Sequence, residues 1–441
     1  MSSSEHRLVP TEKFLAYIFI VILSLIIASM YEPVLIPICA TMVAIPVAMW
    51  LQASEYLIIS RSLVASQEVK HGSDLDPVVV KFFIRNPTKK LLLGLYYKYE
   101  YSNGLRLEKG DTVGKMTVAP GENVEIELVF SPRLGTHVIG PLKILVTDFL
   151  GFFVGPEIVI LPATTLSVPP STSDLLIKRT YLGLRSAGIS RTSLPGGGTV
   201  FYDVREYSPG DELRRVVWRI YASRRKLAVW ETEKERVGKT LFVIDGLRDM
   251  WIGPFSHSLF EESARAAVGI IRYLAARGYS VMTLVFSEEG ISYTAGFRRG
   301  VEAHYDALKI ISKITPPSRA GGFSSGILQQ VGRIIREYAS GKSCDVVVFT
   351  KATWERVEWL IDLYNELKNL GSSVLVVIPL LQYELGDVYD PTAKRTYATL
   401  WLRELARSIE GVDILVKAGM RVIVSELPRL SFRVAEFVEY F

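Results

Sequence analysis

The chain has 441 residues, 49% of them hydrophobic, with 51 basic against 46 acidic side chains and a formal net charge of +5. That length allows two or three domains, and so mild a charge does not call for a nucleic-acid partner. The 2 cysteines, Cys39 and Cys344, build neither a disulfide framework nor a CxxC metal site, and the 5 histidines (His6, His71, His137, His257, His304) form no HxxxH pair.

The apolar excess lies at the N-terminus. Phe14 to Met30 and Val34 to Leu51 are two uncharged runs, each near the lower limit for crossing roughly 30 Å of hydrocarbon. Only Tyr31-Glu32-Pro33 is polar between them. Pro37 and Pro46 fall inside the second run, which a transmembrane helix tolerates. A signal peptide would account for one apolar core and leave the second run unexplained. Residues 1–60 therefore read as a tail and a transmembrane α-helical hairpin surrounded by lipid. Arg7 and Lys13 precede the first span, Arg61 and Lys70 follow the second, and the turn holds only Glu32. This bias places both flanks in the cytoplasm.

Residues 66–165 change to period two. Val78–Ile84 ends at the turn signal Arg85-Asn86-Pro87-Thr88, and Leu95–Tyr101 ends at Asn103-Gly104. Val124–Phe130 alternates apolar with acidic residues, as a half-buried strand does. Shorter strands are expected at Thr136–Ile139, Leu142–Val146 and Ile158–Leu161, which together suggest an all-β, sandwich-like domain. Asp111 and Asp148 read as turn residues.

Residues 166–236 form a Gly-rich, basic connector. Pro195-Gly196-Gly197-Gly198 leads to Phe201–Arg215 and Trp218, with Pro209-Gly210 forcing a turn and Asp211 placed to cap a helix. Arg205, Arg214, Arg215, Arg219, Arg224, Arg225 and Lys226 are offset by Glu206, Asp211, Glu212, Glu231, Glu233 and Glu235. Bidentate Arg–carboxylate pairing would make this an ordered ionic network bracing the junction of two domains. A protein-partner surface and an anion site are the alternatives.

The stretch from Gly196 to Glu231 resembles the signature of the domain of unknown function 58 (DUF58) family. Arg205-Glu206-Tyr207, Pro209-Gly210-Asp211, Arg214, Trp218, Leu227 and Val229 match it at unbroken spacing. Arg133-Leu134-Gly135, Gly140-Pro141-Leu142 and Asp148–Gly151 resemble the end of the family's β-domain, so the resemblance covers roughly residues 75–315. Val217 stands where the family commonly has Asp, and Ser223 where it has Arg. The resemblance implies a membrane-anchored companion module of a MoxR-type AAA+ ATPase.

Residues 237–441 alternate strands and helices. Strands are expected at Leu241–Asp245, Val281–Phe286, Val346–Thr350, Val374–Ile378 and Ile414–Val416. The expected helices are Phe260–Arg277, Val301–Ile314, Ile327–Tyr338, Glu355–Leu370 and Ala398–Ser408. This is an α/β doubly wound pattern, and it resembles a von Willebrand factor A domain. Such domains hold a divalent cation with Asp-x-Ser-x-Ser, a loop threonine and a later aspartate. The corresponding positions here are Asp245, Leu247, Asp249, Phe323 with Ser324 and Ser325, and Thr350-Lys351. Leu247 cannot ligate, and Lys351 would offset the charge of Asp245, so a degenerate, metal-free site is expected.

Gly238-Lys239-Thr240 and Gly341-Lys342-Ser343 lack the upstream glycines of a P-loop and precede strands. No nucleophile triad is present, and no catalytic residue or cofactor is expected. The residues read as a non-catalytic membrane-anchored scaffold or adaptor for protein partners. A metal-dependent ligand-binding receptor is the alternative, and a hydrolase with an unrecognised site is a third.

Overall fold

The computed structural model describes residues 8–31, 36–171, 190–236, 239–317, 325–340, 344–380 and 391–426. The chain divides into two compact units, Met1–Val168 and Pro169–Phe441.

In the first unit a short strand, β1 (Val9–Pro10), precedes helices α1 (Glu12–Tyr31) and α2 (Ile36–Ser60). The Tyr17 hydroxyl donates to the Met42 carbonyl at 3.0 Å, tying the helices together. Phe19, Ile20, Trp50 and Ile58 are exposed. Among the described residues one segment, Ala40–Ser60, is long and apolar enough to cross a membrane. The first expected span lies in α1, whose side chains from residue 28 onward are not among those described. Pro46 sits within α2.

The β-domain has two antiparallel sheets. β2 (Val64–Lys70), β3 (Val78–Arg85), β5 (Leu105–Lys109) and β7 (Asn123–Pro132) form one, in the order β2-β3-β7-β5. β4 (Leu92–Tyr101), β6 (Val113–Val118), β8 (Gly135–Val146), β10 (Ile158–Leu161) and β11 (Thr164–Val168) form the other, in the order β10-β8-β4-β6 with β11 also on β8. Val80, Phe82 and Phe130 from the first sheet share one core with Leu95, Tyr99 and Ile144 from the second. The β-rich run read at Val78–Ile84 is β3, whose even residues are buried and whose odd residues are partly exposed. The two short strands expected at 136–146 are one strand, β8, which runs through Gly140-Pro141.

Asp148 is a turn residue as expected, and a buried one. Its carboxylate accepts from the backbone of Leu150 at 3.0 Å and Phe153 at 2.6 Å. β9 (Phe153–Val154) pairs with β1, and Phe14 and Tyr17 of α1 lie 4.9 Å from Phe153 and Phe152 respectively. The start of α1 is thereby anchored to the β-domain.

In the second unit the connector contains regular structure. β12 (Ser190–Glu206) and β13 (Ala228–Arg236) form an antiparallel ribbon whose tip carries a 3-10 turn at Leu213–Arg215 and a short helix, α3 (Trp218–Arg224).

The α/β sheet comprises β14 (Lys239–Asp245), β15 (Ser280–Ser287), β16 (Gly290–Tyr293), β17 (Asp345–Phe349), β18 (Ser373–Leu380) and β19 (Arg421–Glu426). Their order is β16-β15-β14-β17-β18-β19, parallel except for β16 at the edge. The helices are α4 (Leu259–Ala276), α5 (Gly300–Ile311), α6 (Ser325–Ala339), α7 (Trp354–Asn369) and α8 (Pro391–Lys417). A capping box between Ser258 and Glu261 starts α4. The strand expected at Ile414–Val416 is instead the end of α8. Leu415 is fully buried on a helical face there, Gly419 at φ 84° ends the turn, and the strand begins at Arg421.

Candidate functional site

The chain passes from β14 to β15 on one side and later returns to β17 on the other side of β14. A crevice opens at such a reversal, beyond the carboxyl ends of the strands, and this is where open α/β sheets place their ligands. Asp245 ends β14 there, and Thr350 follows β17.

Asp245 is fully buried and its carboxylate is saturated. One oxygen accepts from the Leu247 backbone N–H at 2.9 Å. The other accepts from the Thr350 hydroxyl at 2.7 Å and from Nε of Arg356 at 2.5 Å. The same guanidinium donates its two terminal nitrogens to Asp249, Nη1 to Oδ2 at 2.8 Å and Nη2 to Oδ1 at 2.5 Å. Nη1 also donates to Thr353 Oγ1 at 3.0 Å. Arg356 is 2% exposed and Asp245 0%, whereas the Asp249 side chain is 34% exposed. One planar cation thus bridges two carboxylates in the fork geometry that arginine alone provides.

Local sequence explains how each group arrives. A Cβ at Gly246 would lie 2.9 Å from the Phe286 carbonyl oxygen, so the chain can turn off β14 only with glycine there. Asp249 lies in the 3-10 turn Arg248–Trp251. Arg356 sits in the first turn of α7, where the helix dipole opposes a positive charge. The two carboxylates outweigh both that field and desolvation. Burial lowers the pKa of Arg356, but Asp245 and Asp249 drive it above its ordinary value. Burial pushes the Asp245 carboxyl up, and Arg356 and Thr350 oppose that push. With five donors converging on the two aspartates, the arrangement is a guanidinium held between carboxylates.

The expected cation positions are therefore only partly assembled. Asp245, Asp249 and Thr350 meet, but around Arg356. Lys351 was expected to offset Asp245; it is buried and lines a neighbouring cleft, and the ion pair of Asp245 is with Arg356. Leu247 points into the main core of the α/β domain with Leu241, Val243 and Phe286. Ser325 opens α6, while Phe323 and Ser324 lie outside the described residues. A divalent cation such as Mg²⁺ demands several oxygens in near-octahedral geometry. This set supplies two carboxylates already spanned by a cation and an apolar side chain at a ligand position, and it does not suit one.

Arg356 was missed because it lies 111 residues from Asp245. The available signal was a basic residue in the first turn of an expected helix, where helix electrostatics disfavour it.

A cleft of about 520 Å³ lies beside the triad, between Lys351–Glu355 and the Arg407–Ile414 face of α8. Gly411 lets α8 approach the Ala352 carbonyl where a Cβ would collide. Trp354 and Ile252 line the cleft and are 68% and 42% exposed. Cys344 is buried, and burial pushes its thiol up to about 11, so it is not thiolate at neutral pH.

The connector holds a second arginine clamp. Arg205 pairs with Asp211 through Nη2–Oδ1 at 2.6 Å and Nη1–Oδ2 at 2.8 Å, and with Glu231 through Nε at 2.5 Å. Its Nη1 also donates to the Glu206 carbonyl. Asp211 accepts from the Ser208 backbone after the turn at Gly210, whose φ is 109°. Arg205 draws the Asp211 carboxyl below its ordinary value. The expected network is thus present but differently wired. The Glu206 carboxylate faces Lys226 at 3.3 Å, Tyr207 bonds through its backbone to Leu227, and Arg214 has no carboxylate partner among the described residues. The Arg205 side chain is 42% exposed, so the clamp is not the buried brace that was expected.

The second unit is thus a doubly wound α/β domain preceded by an arginine-clamped ribbon. Residues 203–381 match the family model described as "Protein of unknown function DUF58". The match begins at the ribbon and does not include the β-domain, where the resemblance had been extended. No curated protein matches. Among solved structures, the chain is similar to a von Willebrand factor type A protein from Catenulispora acidiphila (13% identity, 48% of this chain and 44% of that one, TM-score 0.28). It is also similar to proximal thread matrix protein 1 from the mussel byssus (14%, 46% and 45%, TM-score 0.27). A third is the PilB minor pilin from Streptococcus sanguinis (10%, 89% and 96%, TM-score 0.33). The chain spans less than half the length of the first two.

Proposed function

We propose that this protein is a membrane-anchored, non-catalytic scaffold whose α/β domain binds a protein partner without a metal ion. The observation that carries the reading is the Asp245–Arg356–Asp249 triad. Where a cation-dependent domain would keep carboxylates open for a metal, this chain has closed them with its own guanidinium. The neighbouring cleft with its exposed Trp354 then provides the binding surface, since exposed aromatic side chains beside a concavity are typical anchors of protein interfaces. The DUF58 segment supports a MoxR-type AAA+ ATPase as partner, by association of such modules rather than by chemistry.

The anchor in this reading is a two-helix hairpin made of α1 and α2, with both flanks in the cytoplasm. The spanning length of Ala40–Ser60 and the placement of Lys13, Arg61 and Lys70 support it. Protease protection in oriented vesicles tests the topology, and digestion of the second unit from outside intact cells would overturn it.

The metal-free reading is tested by melting the purified chain with and without millimolar Mg²⁺, Mn²⁺ or Ca²⁺. A ligand at a hundredfold excess over its Kd stabilises the native state by about 2.7 kcal/mol. No shift is expected. A Mg²⁺-dependent rise abolished by Asp245→Ala would instead establish a metal-dependent receptor.

A further inference from the structure

Between Leu213 and Leu227, at the tip of the β12–β13 ribbon, the sequence has six basic residues and no carboxylate. The carboxylates around it are engaged: Asp211 and Glu231 by Arg205, Glu206 by Lys226 at 3.3 Å, and Glu212 by Arg215 at 3.4 Å. Arg214, Arg219, Arg224 and Arg225 have no carboxylate partner among the described residues. Among the described residues the acids expected to offset the charge of the tip are engaged at its base, and the side chains of Glu233 and Glu235 lie outside those described.

The apolar residues of the tip face outward as well. Neither the 3-10 turn nor α3 contains a buried residue. Leu213 is 66% exposed, Trp218 61%, Tyr221 45% and Leu227 39%. Trp218 and Tyr221 stand edge to face, 6.2 Å apart. What holds this shape is backbone: Val217 N–H donates to the Ala228 carbonyl at 2.8 Å, and Tyr207 N–H to that of Leu227 at 3.0 Å. Val216, Ala228 and Val229 are buried beneath. A helix with no fully buried residue that presents Trp, Tyr and four guanidinium groups without a carboxylate partner among the described residues is built for an external anionic, amphipathic surface.

We propose that the ribbon tip docks on an anionic lipid surface, with Trp218 and Tyr221 at headgroup level and the four arginines against lipid phosphates. Trp and Tyr prefer the boundary where one end of the ring is apolar and the other wet. Guanidinium groups match phosphate oxygens in pairs, and anionic leaflets attract basic segments. The same polypeptide carries a segment able to cross a bilayer, which holds lipid at high effective concentration around the tip. This inference rests on the membrane-anchored part of the proposed function and is independent of the metal-free site.

The test reconstitutes the full chain into nanodiscs with brominated acyl chains, in phosphatidylcholine alone or mixed with phosphatidylglycerol. The readout is the tryptophan quenching lost in Trp218→Phe. Quenching of Trp218 is expected in the anionic discs, severalfold weaker in neutral ones and weaker again at high salt. Replacing the four arginines by glutamine should lower tip affinity on the order of a thousandfold. Equal quenching in both lipids, or none in anionic discs, overturns the proposal. So does loss of quenching on adding soluble polyglutamate at low concentration, which assigns the tip to an acidic protein. A chain that is not retained in discs refutes the anchor alone. Flotation of that chain with phosphatidylglycerol or phosphatidylcholine vesicles then decides the tip: selective flotation with the former supports it, and none refutes it.

Discussion

Two arginines in this chain do the same chemistry in different surroundings. Arg205 and Arg356 each grip one aspartate with two terminal nitrogens and a second carboxylate with Nε. Arg205 is 42% exposed, and Arg356 is 2% exposed against a partner with no exposure at all. Hydrogen-bond geometry therefore does not distinguish them, and solvent does. In water the pair competes with hydration and salt. In the interior, loss of one partner strands a charge with nothing to solvate it. The exposed clamp shapes a turn, while the buried one fixes the end of a sheet.

The sharpest way to break this comparison is to remove each arginine. Arg356→Ala should cost about 3–5 kcal/mol, since it leaves Asp245 charged and buried. Urea unfolding of the detergent-solubilised chain, followed by proteolysis of the second unit, reads this. Asp245→Asn with Arg356→Met should recover much of the loss, and a double variant no better than the single one would show that charge is not the cause.

Leu247 sharpens the same point. Its apolar side chain belongs to the core rather than to a vacant ligand position. Leu247→Ser should therefore destabilise by about 2–5 kcal/mol without creating a cation site. Gain of Mg²⁺-dependent melting in that variant would contradict the placement.

Burial also separates two histidines. Burial holds His137 of the β-domain below its ordinary value of 6.5. The folded state then binds fewer protons than the unfolded one, so stability is lost as pH falls below about 6.5. His257 is raised, chiefly by its hydrogen bond to Glu262 at 2.8 Å. Its contribution is present at lower pH and is lost as pH rises through its folded value, and it is small because the ring is 55% exposed. Melting against pH for His137→Gln and His257→Gln should flatten slopes of opposite sign. The smallest effect is expected for Arg205→Ala, a slight melting change that high salt erases. A loss matching that of Arg356→Ala would put Arg205 in a buried junction after all.

Much of the architecture was legible because it is written in local periodicity. The alternation in Val124–Phe130 and the apolar run Leu241–Asp245 depend only on which residues face a core, and they became β7 and β14. Where periodicity is ambiguous the reading failed. Ile414-Leu415-Val416 is β-branched and apolar enough for a strand, yet it completes a turn of α8 because Leu415 meets a helical face. The connector was read from its glycines and charges, and only the structure shows the ribbon whose pairing joins Arg191 to Glu235.

The candidate site divides in the same way. By itself the sequence determined that Asp245 ends a buried strand, that Leu247 cannot ligate, and that Arg205 and Asp211 flank a turn, since each follows from residue type and near neighbours. Only the tertiary structure decided that Arg356 rather than Lys351 closes on Asp245, that the Arg205 clamp lies in solvent, and that four arginines of the tip have no carboxylate partner among the described residues. Those outcomes depend on which charges meet across more than a hundred residues and on how much water remains between them. Neither quantity is carried by spacing along the chain, because both are set when the sheet and its helices pack.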